Sequence, residues 1–224
     1  FLDYYDWMLD LGGGVMTRFS TNEVSRLDMF YKMLDMRLVT PIFGEIFPYK
    51  NEFRLVVPVN TRGYSGISFS MQRMPIDSKV IVYTDVYAHR GMGKELIDYS
   101  DMGQHLYKTA SLYITGRSEY PRSYRYLRIG NLEPITLQYT SYDDDWRSNV
   151  GDVDIEIIPN TLNIDIENTE SPLMAIDFVK DRDDNLFAVD YNTSPGLRWT
   201  GIEDIYSATA IADSIREWYE DRVI

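Results

Sequence analysis

Apolar positions along the chain follow two periods, and the changes between them mark the elements. Val24, Leu27, Phe30, Tyr31, Leu34 and Leu38 recur three and four residues apart, the spacing of one helical face. Ahead of them Ser20 and Glu23 form an S-x-x-E capping box, in which hydroxyl and carboxylate satisfy the first unpaired amides of a helix. The helix should stop near Thr40-Pro41, because a residue before proline avoids the α region. Residues 1–19 mix aromatics, acids and three glycines and predict a frayed strand or helix with a turn. From Phe43 to Phe69 short apolar runs punctuated by Pro58, Gly63 and Gly66 predict strands and loops. Lys79–Thr84 is rich in β-branched and aromatic residues and predicts a stronger strand. Asp101–Ala110 predicts a short helix, and Tyr124–Ile129 with Ile135–Thr140 predict a hairpin around Gly130-Asn131. Residues 160–171 alternate only weakly. Near the end, Ala208, Ile211, Ala212, Ile215 and Trp218 form an apolar stripe, with Asp213, Arg216, Glu217 and Glu220 opposite. That is a helix packed on a core.

Between these lies a second hairpin that carries chemistry. Ala175–Val179 and Phe187–Val189 are apolar runs separated by the polar segment 180–185, which predicts a loop between two strands. Alternate side chains of a strand share a face, so Asp190 and Asn192 point the same way, and Asp177 sits on the neighbouring strand. Ser194-Pro195-Gly196 then breaks the strand. Three hard oxygen donors in one place suit Mg²⁺, which takes one or two carboxylates plus substrate phosphates. The blander reading makes Asp177 and Asp190 solvent-facing carboxylates of a sheet edge.

Composition narrows the classes. The 224 residues leave room for one large domain or two small lobes. The absence of cysteine excludes disulfides and thiolate chemistry, and two histidines, His89 and His105, exclude a histidine-rich zinc site. A formal net charge of −13 argues against a nucleic-acid binder and favours a basic substrate or partner, unless acidity serves solubility alone. With no apolar run of transmembrane length and no signal peptide, the chain reads as soluble, not membrane-bound, and by default cytoplasmic. Phe1 in place of Met suggests a fragment or a processed chain.

Two further stretches bear on phosphate chemistry. Arg90-Gly91-Met92-Gly93-Lys94 follows the strand at 79–84; such a loop can wrap phosphates with amides and positive charge, although a Gly-x-Gly is more often a plain turn. Arg147-Ser148-Asn149 places a cation and an amide beside three aspartates, where a local ion pair competes with a catalytic role. For Arg125, pairing with an acid across a strand is the competing role.

Taken in order, these segments resemble an ATP-grasp ligase, closest to the ribosomal-protein glutamate ligase branch. The helix ending at Thr40-Pro41 is similar to the family's linker helix. The strand 79–84 with Arg90–Lys94 is similar to its glycine loop, and Ala88-His89-Arg90-Gly91-Met92-Gly93-Lys94 to the synapsin variant. Glu119-Tyr120, Arg125 and Arg147–Asn149 resemble the hinge, the arginine strand and the R-S-N segment; Asp177, Asp190–Leu197 and Gly201–Glu203 resemble the metal-binding stretch. The resemblance covers most of residues 20–220 and is weakest over 42–78.

The resemblance implies an α+β fold of two lobes with antiparallel sheets gripping a nucleotide, with the N-terminal domain absent or reduced. Residues 1–40 would be an N-terminal remnant and linker helix, 41–118 the nucleotide-gripping lobe and 119–224 the metal-binding lobe. It implies an ATP-dependent carboxylate–amine ligase that forms an amide through an acyl phosphate with ATP and Mg²⁺. Asp177, Asp190 and Asn192 would hold the metal; Arg125, Arg147 and Asn149 would orient the reacting groups. Lys32, Arg90, Gly91, Gly93, Lys94, Glu119 and Tyr120 would hold the nucleotide. Where the family carries lysines, this chain has Thr84 and Met29, so Lys32, Arg90 and Lys94 would supply the charge. The carboxylate substrate would be an amino acid, peptide or protein tail, and the amine acceptor would be bound with the help of a partner or of a second copy in a homodimer. The alternative is a degenerate ATP-grasp protein that binds nucleotide without turnover.

Overall fold

The computed structural model describes residues 25–60, 67–85, 93–159, 162, 164, 166, 171–193 and 195–221. The capping box at Ser20–Glu23, most of the glycine loop with Arg90 and Gly91, and most of 160–171 lie outside the described residues. Two compact units emerge. One holds Ser118–Val179 and Asp190–Ile224, the other Glu23–Arg117 with Lys180–Val189.

The second unit begins with helix α1, Arg26–Asp35, capped by Ser25, whose hydroxyl accepts the Asp28 amide at 3.1 Å. Its buried face is Arg26, Met29, Phe30 and Met33, whereas Leu34 of the expected stripe is 44% exposed. The helix stops early, at Asp35, and Arg37 takes a left-handed backbone. Six strands follow: β1 Phe43–Tyr49, β2 Glu52–Asn60, β3 Ile67–Arg73, β4 Lys79–Tyr83, β5 Lys94–Asp98 and β6 Thr109–Leu112. They form one sheet in the order β3-β2-β1-β6-β4-β5. The region expected to be short strands and loops is therefore a three-strand meander. The helix expected at 101–110 is a 3-10 turn, Tyr99–His105, that runs into β6. Ile46, Leu55, Val80, Val82 and Ala110 pack with Met102 of that turn. Toward α1, Phe30 stacks on Phe43 at 4.5 Å, and the buried Arg26 guanidinium lies over the Tyr83 ring at 5.4 Å.

The other sheet contains β7 Arg122–Ile129, β8 Ile135–Ser141, β9 Val153–Ile158, β10 Leu173–Lys180 and β11 Leu186–Asn192, in the order β11-β10-β7-β8-β9. β7 and β8 form the expected hairpin, and its turn uses Gly130 in a left-handed conformation. A side chain at Gly130 would collide with Ser214, a residue of the terminal helix α2, Ala208–Glu220. Ser214 in turn holds the turn, since its hydroxyl accepts the Asn131 amide at 2.7 Å. Ile211, Ser214, Ile215 and Trp218 are the buried face of α2. Ile211 and Ile215 pack on Leu127, Ile129, Ile135, Leu137, Leu173 and Ala175, each apolar side chain contributing roughly 1.5–3 kcal/mol by burial. Those strand residues share a face because their numbers are all odd. The same face continues, past the helix-covered core, into Arg125 and Asp177.

Candidate active site

Register decides the centre of the site. In the antiparallel pair of β10 and β7, Asp177 lies directly opposite Arg125, so the two side chains stand together on one face. The guanidinium grips the carboxylate as a fork: Nε donates to Oδ1 at 2.7 Å and Nη2 to Oδ2 at 2.9 Å. Nη1 donates to the Tyr139 hydroxyl at 3.3 Å, and the Tyr139 ring lies 5.1 Å from the guanidinium carbon. Side-chain exposure is only 17% for Arg125 and 19% for Asp177. Burial opposes the arginine's charge, but the attraction and hydrogen bonds of Asp177, with Tyr139 and Asp190 adding to them, raise its pKa further above the usual range. Burial likewise raises the Tyr139 hydroxyl, against the opposing pull of Arg125.

Asp190 and Asn192 close β11, the strand beside β10. Asp190 is half-buried and within electrostatic reach of Arg125; Asn192, two residues on, is exposed. Asp177, Asp190 and Arg125 are thus gathered at adjacent strand positions, with Asn192 on the Asp190 side of its strand.

Arg147 and Asn149 sit in the loop between β8 and β9. Arg147 closes a local fork on Asp145, Nε to Oδ1 at 2.9 Å and Nη2 to Oδ2 at 2.6 Å, with its guanidinium 5.7 Å from the Trp146 ring. The hydrogen bond from Arg147, outweighing burial, holds the Asp145 carboxyl below its usual range. Asn149 is exposed. The loop is tied to the sheet where Ser148 donates to the Ser123 hydroxyl at 2.6 Å and Ser141 to the Val150 carbonyl at 2.8 Å. Ser123 is two residues from Arg125 on β7, so the tether lands on the face that carries Arg125.

Of the expected nucleotide residues, Glu119 and Tyr120 precede β7; Tyr120 packs edge-on against Tyr142 with centroids 5.0 Å apart. Lys32, Gly93 and Lys94 belong to the other unit. Lys32 is half-buried in the last turn of α1; Gly93 is left-handed; the Lys94 ammonium lies 5.9 Å from the Tyr83 ring centre. Sequence reasoning missed Tyr139. Its signal is positional: with Ser123 opposite Tyr139 and Arg125 opposite Leu137, Tyr139 is the diagonal neighbour of Arg125, close enough for a long side chain to reach.

Among the described residues no three acidic or histidine side chains gather into a ready-made cage for a cation. The donors present still fit Mg²⁺. A carboxylate offers about four lone-pair sites, and Arg125 uses two of those on Asp177, leaving capacity there beside Asp190 and the Asn192 amide oxygen.

Compared with solved structures, the chain is similar to the ATP-grasp ligase PsnB complexed with a phosphomimetic variant of its minimal precursor, Mg and ADP. The TM-score is 0.51 at 11% identity, over 88% of this chain and 58% of that one. It is similar again to PsnB complexed with minimal precursor, with a TM-score of 0.50 at 12% identity, over 91% of this chain and 62% of that one. The fold is the ATP-grasp fold. The chain spans about three-fifths of the length of these ATP-grasp structures, and at such identity the likeness is one of architecture. No family profile matches the sequence, and no curated protein matches it. Among the described residues no helix is long and apolar enough to cross a membrane.

Proposed function

We propose that the chain is an ATP-dependent carboxylate–amine ligase of the ribosomal-protein glutamate ligase type. Residues 41–118 would grip the nucleotide and 119–224 would hold the metal. The observation that carries this reading is the register that sets Arg125 against Asp177 beside Asp190, in a chain with the ATP-grasp fold. Asp177, Asp190 and Asn192 would hold Mg²⁺, which when bound supplies charge neutralisation for phosphoryl transfer. Arg125 has five N–H donors; three meet Asp177 and Tyr139. The two that remain can receive phosphoryl or carboxylate oxygens, and the fork on Asp177 fixes their direction in advance. The substrate carboxylate oxygen attacks the γ-phosphorus while the bond to the β–γ bridging oxygen breaks and ADP leaves. The amine then attacks the acyl carbon, and the C–O bond breaks to release inorganic phosphate as the amine loses a proton. Arg147 and Asn149 would orient the substrate from the loop tethered at Ser123.

The test is thermal stabilisation by Mg²⁺-ATP. At ligand 100-fold above Kd the wild-type chain should gain about 2.7 kcal/mol, and Asp190→Ala should lose most of that gain while melting normally alone. An unchanged shift in Asp190→Ala would remove the metal assignment. One observation favours the second reading, binding without turnover: Met29, where the family carries a lysine, is buried at 4% exposure. Mg²⁺-dependent ADP release with amino-acid and peptide pools separates the two, since a non-catalytic binder retains ATP stabilisation and releases none.

A further inference from the structure

Within the unit that holds α1, cations gather on one face of the β1–β2–β3 meander. Alternate residues of a strand share a face, and the register carries that face across: Tyr49 opposite Glu52, Phe47 opposite Arg54, and Arg54 opposite Arg73. Like charges set directly opposite one another repel, yet two arginines stand in that relation. One carboxylate serves both, Glu52, whose oxygens lie 3.4 Å from Arg54 Nη2 and 3.5 Å from Arg73 Nη2. A third cation comes from the tight turn between β1 and β2. Lys50 takes a left-handed backbone there, which glycine and asparagine adopt more readily. Its ammonium lies 5.4 Å from the Tyr49 ring centre, and the Arg54 guanidinium lies 4.4 Å from the same ring. Among the described residues Glu52 is the one carboxylate in ion-pair contact with these three cations, so positive charge is in excess. The cluster is an exception on a chain whose net charge of −13 favours basic partners. Beside it the same face is apolar. Phe47 is 40% exposed and meets Tyr107, 64% exposed, edge-on with centroids 6.0 Å apart; Met71, two residues from Arg73 on β3, is exposed as well.

We propose that this surface binds an acidic peptide segment in which carboxylates flank an apolar side chain, the carboxylates meeting Lys50, Arg54 and Arg73 and the apolar side chain meeting Phe47 and Tyr107. Guanidinium forks take carboxylates with two bonds each, and exposed aromatics beside arginines are common anchors of protein contacts. Two observations favour a peptide over a nucleic acid. Among the described strands β3 ends its sheet, so its outward N–H and C=O groups can pair with an extended chain. The cations are also confined to one cluster on a strongly acidic chain, whereas a phosphate backbone calls for a basic stripe. Binding here is independent of the ligase reading, because it is measured with neither nucleotide nor metal.

Fluorescence anisotropy of a labelled peptide, Glu-Glu-Phe-Glu-Glu-Leu, tests it at low ionic strength. Saturable binding is expected. Replacing the glutamates by glutamines should weaken it about tenfold or more, the worth of one charge-assisted hydrogen bond, and replacing the two apolar residues by alanine should weaken it separately. Arg73 is exposed, so Arg73→Gln should melt like the wild type and bind the peptide about tenfold more weakly. Lys50→Asn discriminates further. Asparagine tolerates the left-handed turn, so this variant should melt at or above the wild-type temperature while losing affinity. Absence of saturable binding by the glutamate peptide overturns the proposal. So does equal binding by the glutamine peptide, wild-type affinity in both variants, or tighter binding of a labelled single-stranded oligothymidylate than of the peptide.

Discussion

Arg125 and Arg147 each hold an aspartate with the same two-bonded fork, at 2.7 and 2.9 Å in one case and 2.9 and 2.6 Å in the other. They differ in how the chain brings the partners together. Arg125 and Asp177 are 52 residues apart and meet only through strand register. Arg147 and Asp145 are two residues apart in a loop. A pair so close in sequence can form in the unfolded chain as well, so it adds little to the difference between states. The long-range pair exists only in the folded protein, and there it shields two charges from water. Identical geometry therefore implies different energetics. It also implies different uses, because Arg125 is held rigidly by a sheet, whereas Arg147 is fixed by its own loop.

The largest expected effect follows from removing Asp177. Asp177→Ala leaves the Arg125 guanidinium buried without its counter-charge, which should cost about 3–5 kcal/mol in urea unfolding. Replacing both residues together with Leu and Met should recover most of that loss, because an apolar pair of similar volume needs no desolvation of charge. A loss under about 1 kcal/mol for Asp177→Ala would put the pair in the class of surface bridges and erase the contrast with Arg147. Tyr139→Phe is a finer probe. It removes the hydrogen bond from Arg125 Nη1 and keeps the ring beneath the guanidinium, so it should cost about 0.5–1.5 kcal/mol by the same measurement. A cost as large as that of Asp177→Ala would mean that the tyrosine, and not the aspartate, organises the cluster.

The contrast between near and far partners also explains what could be read from the sequence. Elements whose period is complete within a short window are legible: β4, the β7–β8 hairpin, the strands that carry Asp177 and Asp190, and α2. The alternation at Asp190 and Asn192 likewise needs only local spacing. Nothing in a one-dimensional pattern gives the register that sets Arg125 against Asp177, nor the diagonal that brings Tyr139 to them. On α1 the expected stripe of Leu27, Phe30, Tyr31 and Leu34 shares Phe30 with the observed buried face of Arg26, Met29, Phe30 and Met33 and is otherwise rotated from it. The buried face carries an arginine, whose guanidinium is accommodated over Tyr83 with Nη1 donating to the Met29 sulfur at 3.1 Å, a burial that an apolar periodicity does not register. Over 101–110 the short helix expected is a 3-10 turn at Tyr99–His105, whose buried anchors Tyr99 and Met102 lie three residues apart, a spacing compatible with either helical period.

Asp145→Asn should give the smallest effect, and its pH dependence sharpens the comparison. The hydrogen bond from Arg147 lowers the Asp145 carboxyl below its ordinary 3.8. A carboxyl with a depressed folded value contributes stability that is present above the unfolded value and is lost as pH falls through the folded one. The wild type should therefore exceed Asp145→Asn by at most about 1 kcal/mol near neutrality, as for partly exposed pairs. That margin should shrink as pH drops below 3.8 and vanish once the carboxyl is protonated in both states. Urea unfolding of the two proteins along a descending pH series measures it directly. A margin near that of Asp177→Ala, or one that persists in acid, would mean that Asp145 acts through more than its pairing with Arg147, and the local fork would then rank with the long-range one.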